Sequence, residues 1–241
     1  MTYCVGLLLN EGMVCLSDTR TNAGLDNIAV YRKMFFFETP GERVITIMTA
    51  GSLSITQTTI ARLREANDDP DATAETSILL APTMLKMAVI IGNMLAAVRA
   101  EVQEKMSSMA QAPSASMIVA AQRKGGAMRL FLIYPEGNFI EATEDTPFLQ
   151  IGEHKYGKPI LDRVVKPATS LADAEKAVLL SMDSTLRSNL SVGMPLDMCI
   201  IEKDALRVTR RRRIEAGDPS FRAMSEAWSG ALRDGFAQIK L

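Results

Sequence analysis

The sequence predicts an α+β fold in which two antiparallel sheets lie between pairs of helices. Apolar strand patterns come in hairpin groups, and helical patterns come in pairs. The two kinds of segment alternate as strands, two helices, strands, two helices, two strands and one helix. Each sheet then buries one face on the other sheet and one under helices, because each amphipathic element has to cover its apolar side. No stretch is rich enough in Gly and Ser to be an interdomain linker, so we expect a single domain over residues 1–241.

The first half of the chain contains strands followed by two helices. Apolar runs that end at turn residues predict four strands, at Tyr3–Leu9, Met13–Leu16, Val30–Phe37 and Val44–Met48. Ser52 stands where the N-cap of a helix is expected, ahead of apolar residues at helical spacing. A second helical pattern runs from Pro82 to about Met106.

The second half repeats this order and ends in an additional helix. Turns rich in Gly and Pro separate predicted strands at Met117–Ala121, Met128–Tyr134, Phe139–Ala142 and Phe148–Ile151. Two helices, Tyr156–Val165 and Leu171–Arg187, precede a final hairpin of Met198–Ile201 and Leu206–Arg210. Asp218-Pro219 begins the last helix, whose apolar residues share one side. We therefore divide the domain into a core of residues 2–217 and a C-terminal helix, 218–241, that is a candidate subunit contact.

Composition excludes several classes of function. With 27 Lys and Arg against 28 Asp and Glu, the net charge of −1 argues against a nucleic-acid or membrane-surface partner. The single histidine, His154, excludes a polyhistidine metal site, and nothing around it completes a histidine mechanism, so we expect an exposed polar residue near a helix start. Cys4, Cys15 and Cys199 show no metal-ligand spacing and predict buried free thiols. We expect a cytoplasmic protein with no metal and no cofactor.

A catalytic base is nevertheless available at the amino terminus. Methionine aminopeptidase removes Met1 when the next side chain is small, as Thr2 is. Removal leaves a Thr hydroxyl beside a free α-amine, whose pKa of about 7.7–8.0 makes it partly neutral at pH 7. Thr2 would then carry its own base and need no histidine. Taken alone, Thr2 favours the plainer interpretation, that it is the ordinary second residue of a cytosolic protein.

Three further residues fit such a nucleophile. Lys33 lies in an apolar stretch, where it can favour the alkoxide, and Asp18 can hold the lysine charged and in place. Asp18 ends the second strand of the first hairpin and therefore returns close to Thr2. Gly51 lies at a strand-to-helix turn, where a backbone N–H is a ready oxyanion donor. Each also has a plainer interpretation, as a turn residue (Asp18), an exposed strand lysine (Lys33) or a tight-turn glycine (Gly51).

Together these residues resemble the proteasome β-subunit family of N-terminal-nucleophile (Ntn) hydrolases. The motifs that carry the resemblance are Thr2, Ser17-Asp18-Thr19-Arg20, Lys33 before an apolar strand, and Thr49-Ala50-Gly51-Ser52. Within that family the chain looks most like the bacterial Anbu ("ancestral beta subunit") branch. The segments that indicate this branch are residues 17–24, SDTRTNAG, and residues 187–193, RSNLSVG. The resemblance implies a four-layer αββα sandwich.

The resemblance also implies roles for individual residues. Thr2 Oγ would attack the scissile carbonyl and its α-amine would relay the proton, while Lys33 would lower the pKa of the hydroxyl. Asp18 would anchor Lys33, the Gly51 N–H would hold the oxyanion, and Ser191 would take the position of a family serine. It further implies self-association into a homo-oligomeric ring or an open helical assembly, and a peptide or unfolded protein as substrate.

Three features depart from the family pattern. Ser188 stands where relatives often carry an aspartate, and Ile151-Gly152-Glu153 stands where they have a Gly-Ser-Gly element. The interval from Asp18 to Lys33 is also one residue short, a difference that the loop at Gly24 can absorb. These departures leave three functions open: a threonine-type peptidase, an Ntn amidase acting on small amides, and a catalytically silent assembly or scaffold protein.

One charged run remains outside this scheme. Arg210–Arg213 lies at the predicted end of the final hairpin. Because a strand alternates its faces, only about half of the run can point one way. The run predicts a solvated edge or a subunit contact rather than a site for an acidic partner.

Overall fold

Two five-stranded antiparallel sheets form the centre of the structure, a computed structural model that describes residues 2–22, 28–106 and 113–240. Met1 and the motif residues Ala23 and Gly24 lie outside this described part. Five helices accompany the sheets in the described residues, which agrees with the predicted α+β class. The strands in chain order are β1 (Tyr3–Leu9), β2 (Gly12–Asp18), β3 (Arg20–Asn22), β4 (Ile28–Val30), β5 (Met34–Thr39), β6 (Arg43–Gly51), β7 (Ala115–Arg123), β8 (Arg129–Ile133), β9 (Phe139–Glu141), β10 (Phe148–Gly152), β11 (Leu196–Glu202) and β12 (Arg210–Ile214).

The helices fall into two pairs and one C-terminal helix, in the predicted order. They are α1 (Leu53–Asp68), α2 (Met84–Lys105), α3 (Lys158–Val164), α4 (Leu171–Ser188) and α5 (Pro219–Gln238), with a short 3-10 helix at His154–Tyr156. The Thr83, Ser170 and Asp218 side chains cap α2, α4 and α5 by accepting a backbone N–H three residues on. Ser52 precedes α1 as predicted but makes no side-chain cap bond, because its hydroxyl lies 3.1 Å from Ser54 Oγ instead.

Sheet I has the strand order β10-β1-β2-β11-β12, and sheet II has the order β5-β6-β7-β8-β9. In sheet I, β1 runs between β10 and β2, with Tyr3 opposite Gly152 and Cys4 opposite Ser17. Strand β1, which begins at the third residue of the chain, therefore has a hydrogen-bonded neighbour strand on each side. The strands β3 and β4 form a separate two-stranded ribbon.

Three buried apolar clusters account for the packing of these elements. One cluster joins α1 and α2 to sheet II, and a second joins α3 and α4 to sheet I. The third cluster is formed by residues of both sheets, including Cys4 and Cys199 from sheet I and Met48 and Ile118 from sheet II. Each sheet thus contributes residues to one cluster that it shares with helices and to one that it shares with the other sheet.

Most predicted strands differ from the observed ones only at their end residues, but two differ by more than that. The run Val30–Phe37 does not form one strand, because β4 ends at Val30 and β5 begins at Met34, which leaves Lys33 in the irregular segment between them. The last strand is Arg210–Ile214 rather than Leu206–Arg210. Leu206 lies in a turn with φ of +50°, a left-handed conformation that a strand cannot contain.

Two further properties concern the cysteine thiols and the helices. Cys4, Cys15 and Cys199 are buried and free of disulfide bonds, as the sequence predicts. Across residues 2–22, 28–106 and 113–240, none of the helices combines the length and the apolar character needed to cross a bilayer.

Candidate active site

Thr2, Lys33 and Gly51 line one cavity of about 750 Å³. Thr2 immediately precedes β1, Lys33 precedes β5 and Gly51 ends β6, so the cavity lies where these three strands begin or end. The remaining lining residues are Thr21, Asn22, Thr49, Ala50, Ser52, Leu53 and Thr56. The structure therefore brings three of the five predicted site residues to a single concave surface.

Asp18 and Lys33 form a buried ion pair behind Thr2. Lys33 Nζ donates to Asp18 Oδ1 at 2.7 Å, and the two side chains are 6% and 0% exposed. The same Asp18 oxygen accepts the Tyr3 N–H at 3.1 Å, which ties the carboxylate to the residue that follows Thr2. Asp18 therefore lies close to the start of the chain and contacts Lys33, and its role in catalysis stays a prediction.

The backbone at Lys33 fixes where its ammonium group points. Thr49 donates its N–H to the Lys33 carbonyl at 2.9 Å, which joins the irregular segment to β6. The ammonium also donates to the Arg20 carbonyl at 2.6 Å. In a regular strand, consecutive side chains point to opposite faces. The break before β5 interrupts that alternation at Lys33 and lets its side chain enter the interior.

Burial dominates the electrostatics of Asp18. Removal from water raises the pKa of this carboxyl above its ordinary value, while the Lys33 ammonium and the N–H groups of Tyr3 and Gly193 oppose that rise. An isolated charge at this depth would be costly, so the carboxylate of Asp18 depends on the Lys33 ammonium beside it.

Thr2 is held by its main chain against the end of β10. Glu153 donates its N–H to the Thr2 carbonyl at 2.7 Å. Gly152 has φ of +80°, and a Cβ there would lie 1.9 Å from the Thr2 carbonyl oxygen, so this position requires glycine. The Gly152-Glu153 segment, which lacks the expected serine, thus contributes backbone contacts to Thr2.

Gly51 is equally constrained at the other side of the cavity. Its φ is +105°, and a Cβ would lie 2.3 Å from the Ser114 carbonyl oxygen. The next residue, Ser52, donates its N–H to that same carbonyl at 2.8 Å. The strand-to-helix turn expected from the sequence is therefore built closely against β7.

Ser191 lies in the loop that supports Asp18, rather than among the described residues that line the cavity. Its N–H donates to Asn189 Oδ1 at 2.9 Å. Two residues further on, Gly193 donates its N–H to Asp18 Oδ2 at 3.3 Å. Arg20 holds this loop, because its guanidinium lies against Gly193 and donates to the Leu190 carbonyl at 2.9 Å. The role of Arg20 was not predicted, although the residue is part of the quoted motif.

A second unpredicted feature is a buried polar network beneath β1. The Tyr3 hydroxyl lies 2.6 Å from Ser181 Oγ on α4 and accepts from Gln150 Nε2 on β10 at 2.6 Å. Burial raises the pKa of Tyr3 to about 12. Tyr3, the residue after Thr2, is therefore anchored to α4 and to β10. Its position inside an apolar run gives no sequence signal for this role.

Other polar groups near the site have simpler placements. His154 is exposed, as predicted, and its Nδ1 lies 3.1 Å from the Gly152 carbonyl. Asn22 Oδ1 is buried and has no hydrogen-bond partner among the described residues, so this oxygen is free to accept from a bound molecule. Within the described part of the chain, no three His, Cys, Asp or Glu side chains are placed to hold a metal ion.

Comparison with solved structures gives the family. A mutant of Anbu from Hyphomicrobium sp. strain MC1 is 48% identical and superposes with a TM-score of 0.93, covering 100% of this chain and 99% of that one. The chain belongs to the Anbu family. Anbu (ancestral beta-subunit) from Yersinia bercovieri is 40% identical with a TM-score of 0.91, covering 99% of this chain and 98% of that one. No protein-family model and no curated protein matches this Anbu chain.

A third Anbu structure is described as a helical assembly. It is the Anbu complex from Pseudomonas aeruginosa, 41% identical with a TM-score of 0.91, covering 99% of this chain and 97% of that one. The predicted resemblance to the Anbu branch of proteasome-type proteins is confirmed.

We expect the Asp18–Lys33 pair to behave as a unit in stability measurements. Asp18→Asn and Lys33→Met should each lower the free energy of unfolding by about 3–5 kcal/mol, because each leaves a buried partner uncompensated. The double variant should be more stable than the sum of the two losses predicts. Chemical denaturation at one protein concentration measures all four proteins. Glu101→Gln, which breaks the exposed Arg62–Glu101 pair, is the control and should change little. Additive losses would contradict the coupling.

The Tyr3 network predicts a pH dependence. The unfolded-state pKa of tyrosine, about 10, lies below the folded value of about 12. The stability that comes from the neutral phenol is therefore complete below pH 10 and is lost as the pH rises toward 12, by roughly 1.4 kcal/mol per unit. The stability difference between the native chain and Tyr3→Phe should accordingly shrink between about pH 9 and about pH 11.5 in chemical denaturation. A difference that is constant over this range would show that Tyr3 titrates normally.

Proposed function

We propose that this chain is a proteasome-like threonine-type peptidase that acts through an acyl-ester on Thr2. The observation that carries the proposal is the placement of Thr2 in a cavity with a buried lysine–aspartate pair directly behind it. Membership of the Anbu family supports the same assignment, since it relates the chain to proteasome-type β subunits.

The mechanism begins with the removal of Met1, which frees the α-amine of Thr2. The Lys33 ammonium favours the alkoxide of Thr2, and the amine accepts the hydroxyl proton. Thr2 Oγ bonds to the scissile carbonyl carbon, and the carbonyl oxygen becomes an oxyanion that the Gly51 N–H stabilises. The C–N bond then breaks, and the departing nitrogen takes the proton from the α-amine. Water hydrolyses the ester and restores Thr2.

Asp18 and Ser191 serve this chemistry from further away. Asp18 keeps Lys33 charged and oriented, an assignment supported by the 2.7 Å contact between the two groups. Ser191 acts through its loop, which supplies the Gly193 N–H to Asp18. Because burial raises the pKa of Asp18, its carboxylate becomes protonated, and the ion pair is lost, at a higher pH than for an exposed aspartate.

The substrate in this proposal is a peptide or an unfolded protein. A cavity of about 750 Å³ is within the range that holds a side chain together with adjacent backbone. Its lining is mostly uncharged apart from Lys33, which suits a neutral amide bond. The same core would cleave a small amide, so activity toward peptides and toward small amides has to be compared directly.

The proposal includes the architecture. We assign residues 1–241 to one proteasome-type domain with the four-layer αββα sandwich of Ntn hydrolases, made of a 2–217 core and a C-terminal helix at 218–241. The three apolar clusters, two between a sheet and its helices and one between the sheets, support this arrangement. Free buried thiols support a reducing, cytoplasmic location.

Self-association is the second part of the proposal. Residues 231–240, the end of α5 and the two residues after it, are exposed, yet they include Leu232 and Phe236 on the helix and Ile239 just beyond it, which are 54%, 79% and 72% exposed. Large apolar side chains in such a row commonly mark an interface. The helical assembly of the Pseudomonas aeruginosa relative supports a second copy of this chain as the occupant.

The peptidase assignment predicts that activity depends on Thr2. Cleavage of unstructured protein or short peptides should be lost in Thr2→Ala, and intact-mass spectrometry should show that the native protein lacks Met1. Thr143→Ala, at an exposed threonine that does not line the cavity, is the matched control and should retain turnover. Equal turnover with and without Thr2, or a retained Met1, would overturn the mechanism. A native protein that lacks Met1 but is inactive toward peptides and small amides would favour a scaffold role.

The interface assignment predicts that α5 controls assembly. Leu232→Gln combined with Phe236→Gln should reduce the assembly to smaller species, because the apolar area that drives association is removed. Analytical ultracentrifugation at several concentrations measures this change. Arg233→Gln, which alters the same turn of helix without touching the apolar row, should leave assembly intact. An unchanged size distribution in the double variant would place the interface elsewhere.

A further inference from the structure

The four-arginine run of β12 sends its side chains to two different faces, as the strand alternation predicts. Arg210 and Arg212 turn toward α4, where both contact Glu175, at 2.9 and 3.7 Å. Arg212 also pairs with Asp218 at the start of α5, at 3.0 Å. These two arginines are therefore used within the fold.

Arg211 and Arg213 point instead toward the open edge between the two sheets. Arg211 pairs with Glu38 of β5 at 2.9 Å, and its guanidinium carbon lies 3.9 Å from the centre of the Phe36 ring. Arg213 pairs with Asp197 of β11 at 2.9 Å. Strand β12 is an edge of sheet I and β5 is an edge of sheet II, so the Arg211 contacts bridge two sheet edges, whereas the Arg213–Asp197 pair lies within sheet I.

A cavity of about 550 Å³ lies between these edges, and its lining includes Arg32, Arg64, Arg211 and Arg213. Arg212 also belongs to the lining, although its guanidinium is engaged by Glu175 and Asp218. Arg32 and Arg64 form no ion pair with any carboxylate of the described residues. Arg64 lies over the Phe35 ring, at 5.6 Å from its centre, so its guanidinium is held on an apolar surface. Arg32 and Arg64 therefore present guanidinium groups that no ion pair among the described residues neutralises, whereas the three β12 arginines of the lining are paired with carboxylates.

Asp197 is the acidic residue in this lining. Oδ1 is occupied by Arg213, whereas Oδ2 is buried and has no hydrogen-bond partner among the described residues. An oxygen in that state accepts a hydroxyl or a water, and it would repel a carboxylate or phosphate oxygen placed directly against it. An anionic ligand would therefore bind toward Arg32 and Arg64 and present a hydroxyl or a bridging water to Asp197.

We propose that this cavity is a second site of the protein and binds a compact polyanion that bears phosphate or carboxylate groups. Guanidinium forks match both groups in two-point geometry. The Phe35 and Phe36 rings keep water from part of the wall, which strengthens each charged contact. Its lining residues differ from those of the Thr2 cavity, so its occupancy is independent of the proposed peptidase activity.

Isothermal titration calorimetry of the full-length assembled protein tests this site with two probes, inorganic tripolyphosphate and citrate. We expect saturable binding of at least one probe, which weakens as salt is added. The double variant Arg32→Gln/Arg64→Gln should bind about 100-fold more weakly, because removing each charge-assisted hydrogen bond weakens binding about tenfold. Arg210→Gln removes one charge from the same run but on the other face, and should bind like the native protein.

The outcomes separate the two chemistries. Binding of tripolyphosphate alone assigns the site to phosphate groups, binding of citrate alone assigns it to carboxylates, and binding of both assigns it to compact polyanions in general. Circular dichroism on each variant checks that a variant which no longer binds is still folded. Absence of saturable binding by the native protein, or equal weakening by Arg210→Gln and the double variant, would overturn the proposal.

Discussion

The buried pair of Asp18 and Lys33 is the interaction on which the arrangement of the candidate site depends. Asp18 receives Lys33, the Tyr3 N–H and the Gly193 N–H, so one carboxylate joins the end of β2, the chain start, the segment before β5 and the 189–193 loop. Burial makes the charged form of Asp18 costly in free energy, so the folded state needs all of these partners around the carboxylate. The position of Thr2 against the cavity follows from the same contacts, because Tyr3 is its neighbour in the chain.

The central elements could be predicted from the sequence because they depend on local pattern. Hairpin periodicity brings Asp18 near Thr2, and a lysine within apolar residues predicts burial of Lys33. The break before β5 could not be predicted from local pattern, because it depends on a hydrogen bond from the Thr49 N–H of β6 to the Lys33 carbonyl. The shift of the last strand to Arg210–Ile214 depends on a turn in which Leu206 takes a left-handed conformation, which its residue type does not favour.

Residues that act through distant partners also escaped prediction. Tyr3 reads as one apolar strand position, yet its hydroxyl contacts Ser181 and Gln150, which are far away in sequence. Arg20 belongs to a motif that the sequence shows, but its hydrogen bond to the Leu190 carbonyl depends on the close approach of two distant segments. Ser191 is the opposite case. Its motif position predicts a site residue, but it lies in the loop that supports Asp18. Contacts between distant segments are set by packing, and a single sequence carries little record of them.

The hydrogen bonds around Thr2 have a consequence for maturation. The Thr2 carbonyl is bound by Glu153, and the following N–H is bound by Asp18, so both anchors lie on the carboxyl side of the Thr2 amine. Loss of one residue ahead of Thr2 breaks neither bond. In the proposed mechanism, a precursor and its trimmed form would therefore share these contacts, and removal of Met1 would free the Thr2 amine in a site that is already assembled.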